Sequence, residues 1–479
     1  MDERHPSAIL SMRSHCRTRE VHYHRAVILK EADSPANATE AQRAQFIRDA
    51  MPRAGLFAGQ TWRISPDPFP LSPELVEQLN WLGRVSLQFY RSVNLLYRQS
   101  VDGKQPPWVA ELFDQGKPAD LIALQRSPAF KSEVPRVIRP DLLLTENGFS
   151  ITELDSVPGG IGLTAWLNET YAAAANGGGE IIGGRDGMLR GFESIFGNTP
   201  RVQIVVSDEA ATYRPEMEWV ATKFRSTKCE VRSASFNDFA EGDAVYRFFE
   251  LFDLPNVVNS HRIFELAEQK KVRLTPSPKT IFEEKFLFAL LWNRNLREFW
   301  RQNLGEAFFK RLLPHIPYSW VVDPAPLPPH AAIPELGLTN WQQLKALSQR
   351  ERDLILKVSG FSAEAWGARG VYLGSDLSHE EWSAAVDKAV TGFGSSPYVL
   401  QRFEKPKTVA ASYFDFESNE VKPMQGRVRL CPYYFVSGEG DAARANLSGV
   451  LATIVPADKK IVHGMADAIL APCSVKRET

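Results

Sequence analysis

Three carboxylates, Asp141, Glu153 and Asp155, fall on either side of an Asn147-Gly148 pair. The run Asp141-Leu142-Leu143-Leu144 leads into Glu146-Asn147-Gly148, and Phe149-Ser150-Ile151-Thr152-Glu153-Leu154-Asp155 follows. An apolar run, Asn-Gly and a period-two run predict a β-hairpin over Val134–Asp155. Residues i and i+2 of a strand share a face, so Glu153 and Asp155 project together, and the turn folds Asp141 alongside them. Like charges about 4 Å apart repel by about 1 kcal/mol in water and about 4 kcal/mol at an effective dielectric near 20. Something must offset that repulsion. A hard cation such as Mg²⁺ would do so, because it prefers a few carboxylates together with substrate phosphates and water. A solvated acidic hairpin end, its groups pointing apart, is the other reading, and residue types alone leave the two open.

Basic residues recur later in the chain. Lys357 sits inside the apolar strand Leu354-Ile355-Leu356-Lys357-Val358, where a buried ammonium needs an anion. The loop after it, Ser359 to Gly370, offers backbone amides, Gly367 and Arg369, and so suits a phosphate cover; an edge-strand lysine before an ordinary loop is the alternative. Lys285 lies in Glu283-Glu284-Lys285 on an apolar helix, where a surface ion pair is the plain reading. Gln401-Arg402-Phe403-Glu404 ends a strand beginning at Tyr398, and a strand end of this kind can hydrogen-bond an adenine edge. Arg427 and Arg429 share one face of one strand and suit a phosphoryl or oxyanion clamp, since arginine stays charged and donates in a fork. GxxxxGK[ST], HExxH and GxSxG do not occur, which argues against a Walker-type NTPase, a zincin and an α/β-hydrolase. Gly160–Ala165 matches GxGxxA, yet Glu-Leu-Asp-Ser-Val-Pro separates it from the strand, which is poor spacing for a dinucleotide site.

These groups need elements to hold them. Apolar residues at helical spacing from Ser72 to Gln99 predict a helix, as do Leu163–Ala175, Lys279–Arg301 and Glu380–Val390. Arg201–Asn256 reads as a small α/β unit with strands at Val202–Val206, Cys229–Arg232 and Ala244–Phe248. Pro314–Pro334 reads as an extended connector, and strands are expected around Ser412–Phe416 and Gly426–Phe435. Met1–Arg53 is polar, holds four of the nine histidines (His5, His15, His22, His24) and reads as a poorly ordered tail.

The chain of 479 residues is long enough for two or three lobes, and 44% hydrophobic with 24% charged residues excludes a disordered, collagen-like or coiled-coil protein. Fifty-six basic residues nearly cancel 57 acidic ones, so no overall field draws it to nucleic acid or acidic lipid. The longest apolar run of the expected helices, Phe286–Trp292, is too short for a bilayer. Cys16, Cys229, Cys431 and Cys473 are far apart with no CxxC, and no secretory leader is visible, so a reducing cytoplasm is expected.

In sequence order, Arg139-Pro140-Asp141, Glu153-Leu154-Asp155, Pro158-Gly159-Gly160, Lys285, Lys357 with its flap, Gln401 and the Arg427/Arg429 strand resemble the circularly permuted ATP-grasp enzymes, and among them the glutathionylspermidine synthase-like ligases. The resemblance covers about Val134 to Met465. It implies an α/β (α+β) ATP-grasp fold with a poorly ordered tail (1–53), a helical region (54–133), a metal-binding hairpin and helix (134–199), a pre-ATP-grasp-like α/β lobe (200–278) and nucleotide-binding lobes (279–479). It implies ATP and Mg²⁺ as cofactors, with Asp141, Glu153 and Asp155 on two Mg²⁺ ions. Lys285 and Lys357 would contact phosphates, Gly367 would lie in the flap, Gln401 and Phe403 would face the adenine, and Arg139 and Arg427 would steady developing negative charge. The family commonly has Asn where this chain has Asp155, and its flap is commonly richer in glycine. The activity implied is amide formation between a small carboxylate and an amine through an acyl phosphate, with no nucleic-acid or membrane partner and no indication of oligomeric state. A nucleotide-binding pseudo-enzyme serving as a partner module is the alternative.

Overall fold

A computed structural model describes residues 38–52, 61–174, 179–462 and 467–476, and the side chains of 366–368 lie outside that description. The histidine group and Cys16 fall outside it as well. Three sheets organise the chain. The largest has seven strands in the order Phe69–Leu71, Ile469–Val475, Arg444–Pro456, Glu420–Ser437, Val137–Thr145, Gly148–Asp155, with Thr408–Asp415 paired to the first part of Glu420–Ser437. An all-antiparallel sheet has the order Val371–Leu373, Leu354–Val358, Tyr398–Arg402, Ser319–Val321. An all-parallel sheet has the order Lys228–Ser233, Arg201–Val206, Ala244–Phe248, Arg273–Thr275.

Alternation along Glu420–Ser437 divides the two main cores. Val428, Leu430, Tyr434 and Val436 face the long helix Pro73–Val101, whereas Cys431, Tyr433 and Phe435 face the helices Ile161–Ala174 and Gly187–Ser194 and the parallel sheet beyond. The long helix starts at Ser72, whose hydroxyl accepts the Leu75 amide, with Pro73 at its first position. It lies close on the sheet at Gly83, where a Cβ would fall 2.5 Å from the Tyr434 ring, and the Tyr434 hydroxyl donates to the Leu79 carbonyl at 2.6 Å.

Several expectations change. The helix expected over Lys279–Arg301 is broken into short pieces, Thr280–Phe282, Leu287–Trp292, Arg294–Leu296 and Arg297–Asn303. Glu283 and Glu284 leave helical geometry to make buried tertiary pairs and Lys285 a partly exposed one, and the Asn293 side chain accepts the Asn295 amide, starting a new turn. The connector over Pro314–Pro334 contributes the strand Ser319–Val321, which pairs with Val399–Gln401. Within the segment expected as a tail, Glu40–Ala50 is a helix with a Thr39/Gln42 capping box and buried Ala44 and Ile47. Among the described residues no helix is long and apolar enough to cross a membrane.

The contact at Gly83 is testable. Gly83→Val should lower unfolding stability by about 1–3 kcal/mol, as overpacking does, in urea denaturation. Unchanged stability would contradict the close seating of the helix.

Candidate functional site

The expected hairpin forms, and its register decides which charges meet. Arg139 lies opposite Asp155 and Asp141 opposite Glu153. A bulge follows, so that Leu142 pairs with Ile151 and Thr152 is left out of the ladder. The Thr152 carbonyl is thereby free to accept a hydrogen bond from Lys357 Nζ at 3.2 Å, and its hydroxyl donates to the Asp141 carbonyl at 3.1 Å.

Arg139 occupies the middle of the acidic group. Its Nε donates to Asp141 Oδ1 at 3.0 Å, its Nη2 lies 3.0 Å from Asp155 Oδ2, and its Nη1 donates to the Gly159 carbonyl at 3.1 Å. From the adjacent strand Arg429 Nη1 reaches Asp141 Oδ2 at 3.1 Å, and the Cys431 thiol lies 3.5 Å from Oδ1. Asp141 is 6% exposed. Burial alone would raise its carboxyl, but Arg139 and Arg429 outweigh burial and hold it below the usual range. Asp155 goes the other way: burial, with Glu153 and Asp141 nearby, pushes it up to about 6 against the pull of Arg139 and the Val157 amide. Glu153 is paired with Lys285 Nζ at 3.3 Å.

The lysines come from the opposite wall. Lys357 and Gln401 lie on one face of the small antiparallel sheet, and Lys357 Nζ donates to Gln401 Oε1 at 3.0 Å, while Gln401 Nε2 donates to Ser319 Oγ at 3.1 Å. Burial pushes the Lys357 ammonium down to about 8, with Lys285 adding to the effect and Glu153 and Asp141 opposing it. Lys285 Nζ also donates to the Ala365 carbonyl of the flap at 2.9 Å. Thr152, Glu153, Glu284, Lys285, Lys357 and Gln401 thus line one slot, together with Leu154, Leu287, Phe288 and Val399. Its cavity volume is about 10 Å³, room for about one water. It is closed.

The flap is held at both ends. Glu284 forms a fully buried pair with Lys117 at 2.5 Å and accepts the Ser359 hydroxyl and the Gly360 amide. Glu364 pairs with Lys388 at 2.6 Å and Arg369 with Glu209 at 2.6 Å. Gly367 lies in the 3-10 turn Ala363–Ala368.

Not every expected residue joins the cluster. Among the described residues no group of three or more His, Cys, Asp or Glu side chains is placed to hold a metal ion, and Asp141, Glu153 and Asp155 are paired with protein cations. The repulsion assigned to a cation is offset by Arg139, Arg429 and Lys285 instead. The carboxylates suit Mg²⁺ by donor type, but both oxygens of Asp141 and of Asp155 and Oε1 of Glu153 are engaged with protein cations, a thiol and an amide, so the arrangement as it stands offers Mg²⁺ at most Glu153 Oε2. Arg427 donates to the Lys459 carbonyl at 3.0 Å, and it is Arg429 that meets Asp141. The Phe403 amide donates to the Asp353 carbonyl at 3.0 Å and is already committed. The GxGxxA stretch makes no phosphate loop either: the buried Glu216 carboxylate takes the Gly160 and Leu163 amides at 2.8 and 3.2 Å, and a Cβ on Gly162 would fall 2.5 Å from Glu216 Cγ.

Sequence reasoning missed Thr152, Cys431 and Ser319. It also missed the buried Arg247–Glu283 pair and its neighbour Glu250, whose carboxyl is raised by burial and by Glu283 and Asp155. Only Cys431 left a signal, since it continues the Arg427/Arg429 alternation.

No protein-family model and no curated protein matches the sequence. Among solved structures the chain is similar to a glutathione synthetase-like effector from Globodera pallida in its apo form, at 11% identity and a TM-score of 0.51, over 92% of this chain and 99% of that one. A second, provisionally named gamma-glutamylcysteine synthetase from Methylobacillus flagellatus KT, is 11% identical with a TM-score of 0.37, over 79% of this chain and 85% of that one, which is too loose to bear on the fold. The chain therefore has a mixed α/β, glutathione synthetase-like fold.

The raised Asp155 carboxyl gives a signed prediction. Ionised Asp155 costs stability, and that cost appears as pH rises from near 4, the unfolded value, through about 6. Asp155→Asn should therefore stabilise the protein at pH 7 by about 1–3 kcal/mol, with the gain fading towards pH 4. Denaturant titrations at the two pH values check this; a gain independent of pH would contradict the assignment.

Proposed function

We propose that the protein is an ATP-dependent carboxylate–amine ligase of the circularly permuted ATP-grasp type, glutathionylspermidine synthase-like, with the domain bounds given by the resemblance and a cytoplasmic setting. The observation that carries the reading is the slot itself, where Lys285, Lys357, Gln401 and Glu153, from segments far apart in sequence, line one cavity. On this reading Lys285 and Lys357 meet the phosphates, Gln401 and Phe403 face the base, the latter without its amide, which is taken by Asp353, and the turn holding Gly367 covers them. A carboxylate oxygen of the donor attacks the γ-phosphorus, ADP leaves, and an amine nitrogen then attacks the acyl carbon and expels phosphate. Phosphoryl transfer asks for positioning and charge neutralisation more than for a protein nucleophile, which accords with a cluster of arginines and lysines. Arg139 takes the charge-steadying role, with Arg429 beside it in the place expected of Arg427. Magnesium rests on the resemblance alone.

A second reading, a nucleotide-binding module that does not ligate, is favoured by the closed slot and by Arg139 filling the space between two carboxylates. The Globodera pallida protein of similar fold is itself called an effector. ADP release with candidate carboxylates and amines separates the two readings.

Lys357→Ala should weaken ATP binding by about 2–5 kcal/mol, because it strips one partner from a buried charged contact. Calorimetric titration checks this, and an unchanged affinity would contradict the assignment.

A further inference from the structure

A cavity of about 1000 Å³ lies elsewhere and shares no lining residue with the slot. It opens against the face of the seven-stranded sheet that carries Val436, whereas Asp141 contacts Cys431 on the other face. Its walls come from six segments, two of them the short stretches Asn198 with Thr199 and Glu241 with Gly242. One face of the long helix supplies Gln88, Arg91, Leu95 and Arg98 at helical spacing. The segment after the 3-10 turn Pro128–Phe130 supplies Lys131, the turn after the helix Ser260–Glu268 supplies Lys270 and Lys271, and the chain after Glu420–Ser437 closes the rim at Gly438–Asp441.

The charge in this cavity is unbalanced. Arg91, Arg98, Lys131, Lys270 and Lys271 have no carboxylate at ion-pair distance among the described residues, in contrast to Arg136 and Arg273, which share Glu439 at 3.7 and 3.0 Å. Arg91 and Lys270 instead spend donors on the carbonyls of Gly440 and Ala129. Against those five cations the lining sets Glu133, Glu241 and Asp441. Beneath them lies Lys279, 2% exposed, which donates to Asn94 Oδ1 at 2.8 Å and to the Glu133 carbonyl at 3.0 Å, both lining residues. Burial pushes its ammonium down to about 7, with Arg98 adding to the effect, so it carries only part of a charge at neutral pH. Cations gathered from separate segments repel one another, and an anion with several charges would relieve that.

We propose that this cavity is a binding site for a small organic anion carrying two or more negative groups, phosphate or carboxylate, held chiefly by Arg91, Arg98 and Lys131. The proposal does not depend on the ligase reading.

Calorimetric titration of the full chain in metal-free buffer, with pyrophosphate and with citrate as probes, tests it. At least one probe should bind, with affinity falling at least tenfold in Arg98→Glu and falling as salt is raised; the probe whose binding responds to Arg98→Glu assigns the phosphate or the carboxylate class. If thermal melting shows that Arg98→Glu does not fold, Lys131→Glu, at an exposed lining position, gives the same readout. Binding of neither probe overturns the proposal, as does binding that is lost in Lys357→Ala but kept in the cavity variants.

Discussion

The guanidinium of Arg139 between Asp141 and Asp155 is the contact on which the site depends. Three carboxylates on one hairpin end are tolerable only if cations stand among them, and here the cations are covalently part of the same chain. Arg139 comes from the hairpin, Arg429 from the neighbouring strand, and Lys285 from the broken helical segment. Such a buried cluster is costly to assemble, and costly to break on its cationic side, because removing Arg139, Arg429 or Lys285 leaves carboxylates uncompensated. It fixes the hairpin against the central sheet and sets where Glu153 meets the slot.

A second consequence is closure. Lys357 and Lys285 are held by Thr152, Gln401, Glu153 and the flap carbonyl of Ala365. Each is a contact that an anionic ligand would replace. A closed slot of this kind fits a ligase whose flap must lift and equally fits a module that has lost turnover; the two differ in the chemistry after binding, not in the slot itself.

Much of the local structure was legible, and the reasons are physical. The hairpin followed from Asn147-Gly148 between an apolar and an alternating run, and the Lys357 and Gln401 strands followed from β-rich runs bounded by loops. The helix over Lys279–Arg301 misled because apolar spacing reports only which residues are buried. It is silent about Glu284 being drawn to Lys117, far earlier in the chain, or about Lys285 being drawn to Glu153. The bulge at Thr152 was invisible for a similar reason: nothing local distinguishes it, and its effect is felt at Lys357. The sequence could suggest that carboxylates meet; it did not show that the Arg139 guanidinium stands between two of them.

The most direct test of the central claim is photolabelling of the full chain with an azido-adenine analogue of ATP, followed by peptide mapping. Labelling confined to the strands carrying Lys357 and Gln401, and abolished by excess ATP, is the result expected if adenine enters between the small sheet and the hairpin. Labelling that maps elsewhere, or that ATP fails to compete away, would contradict it.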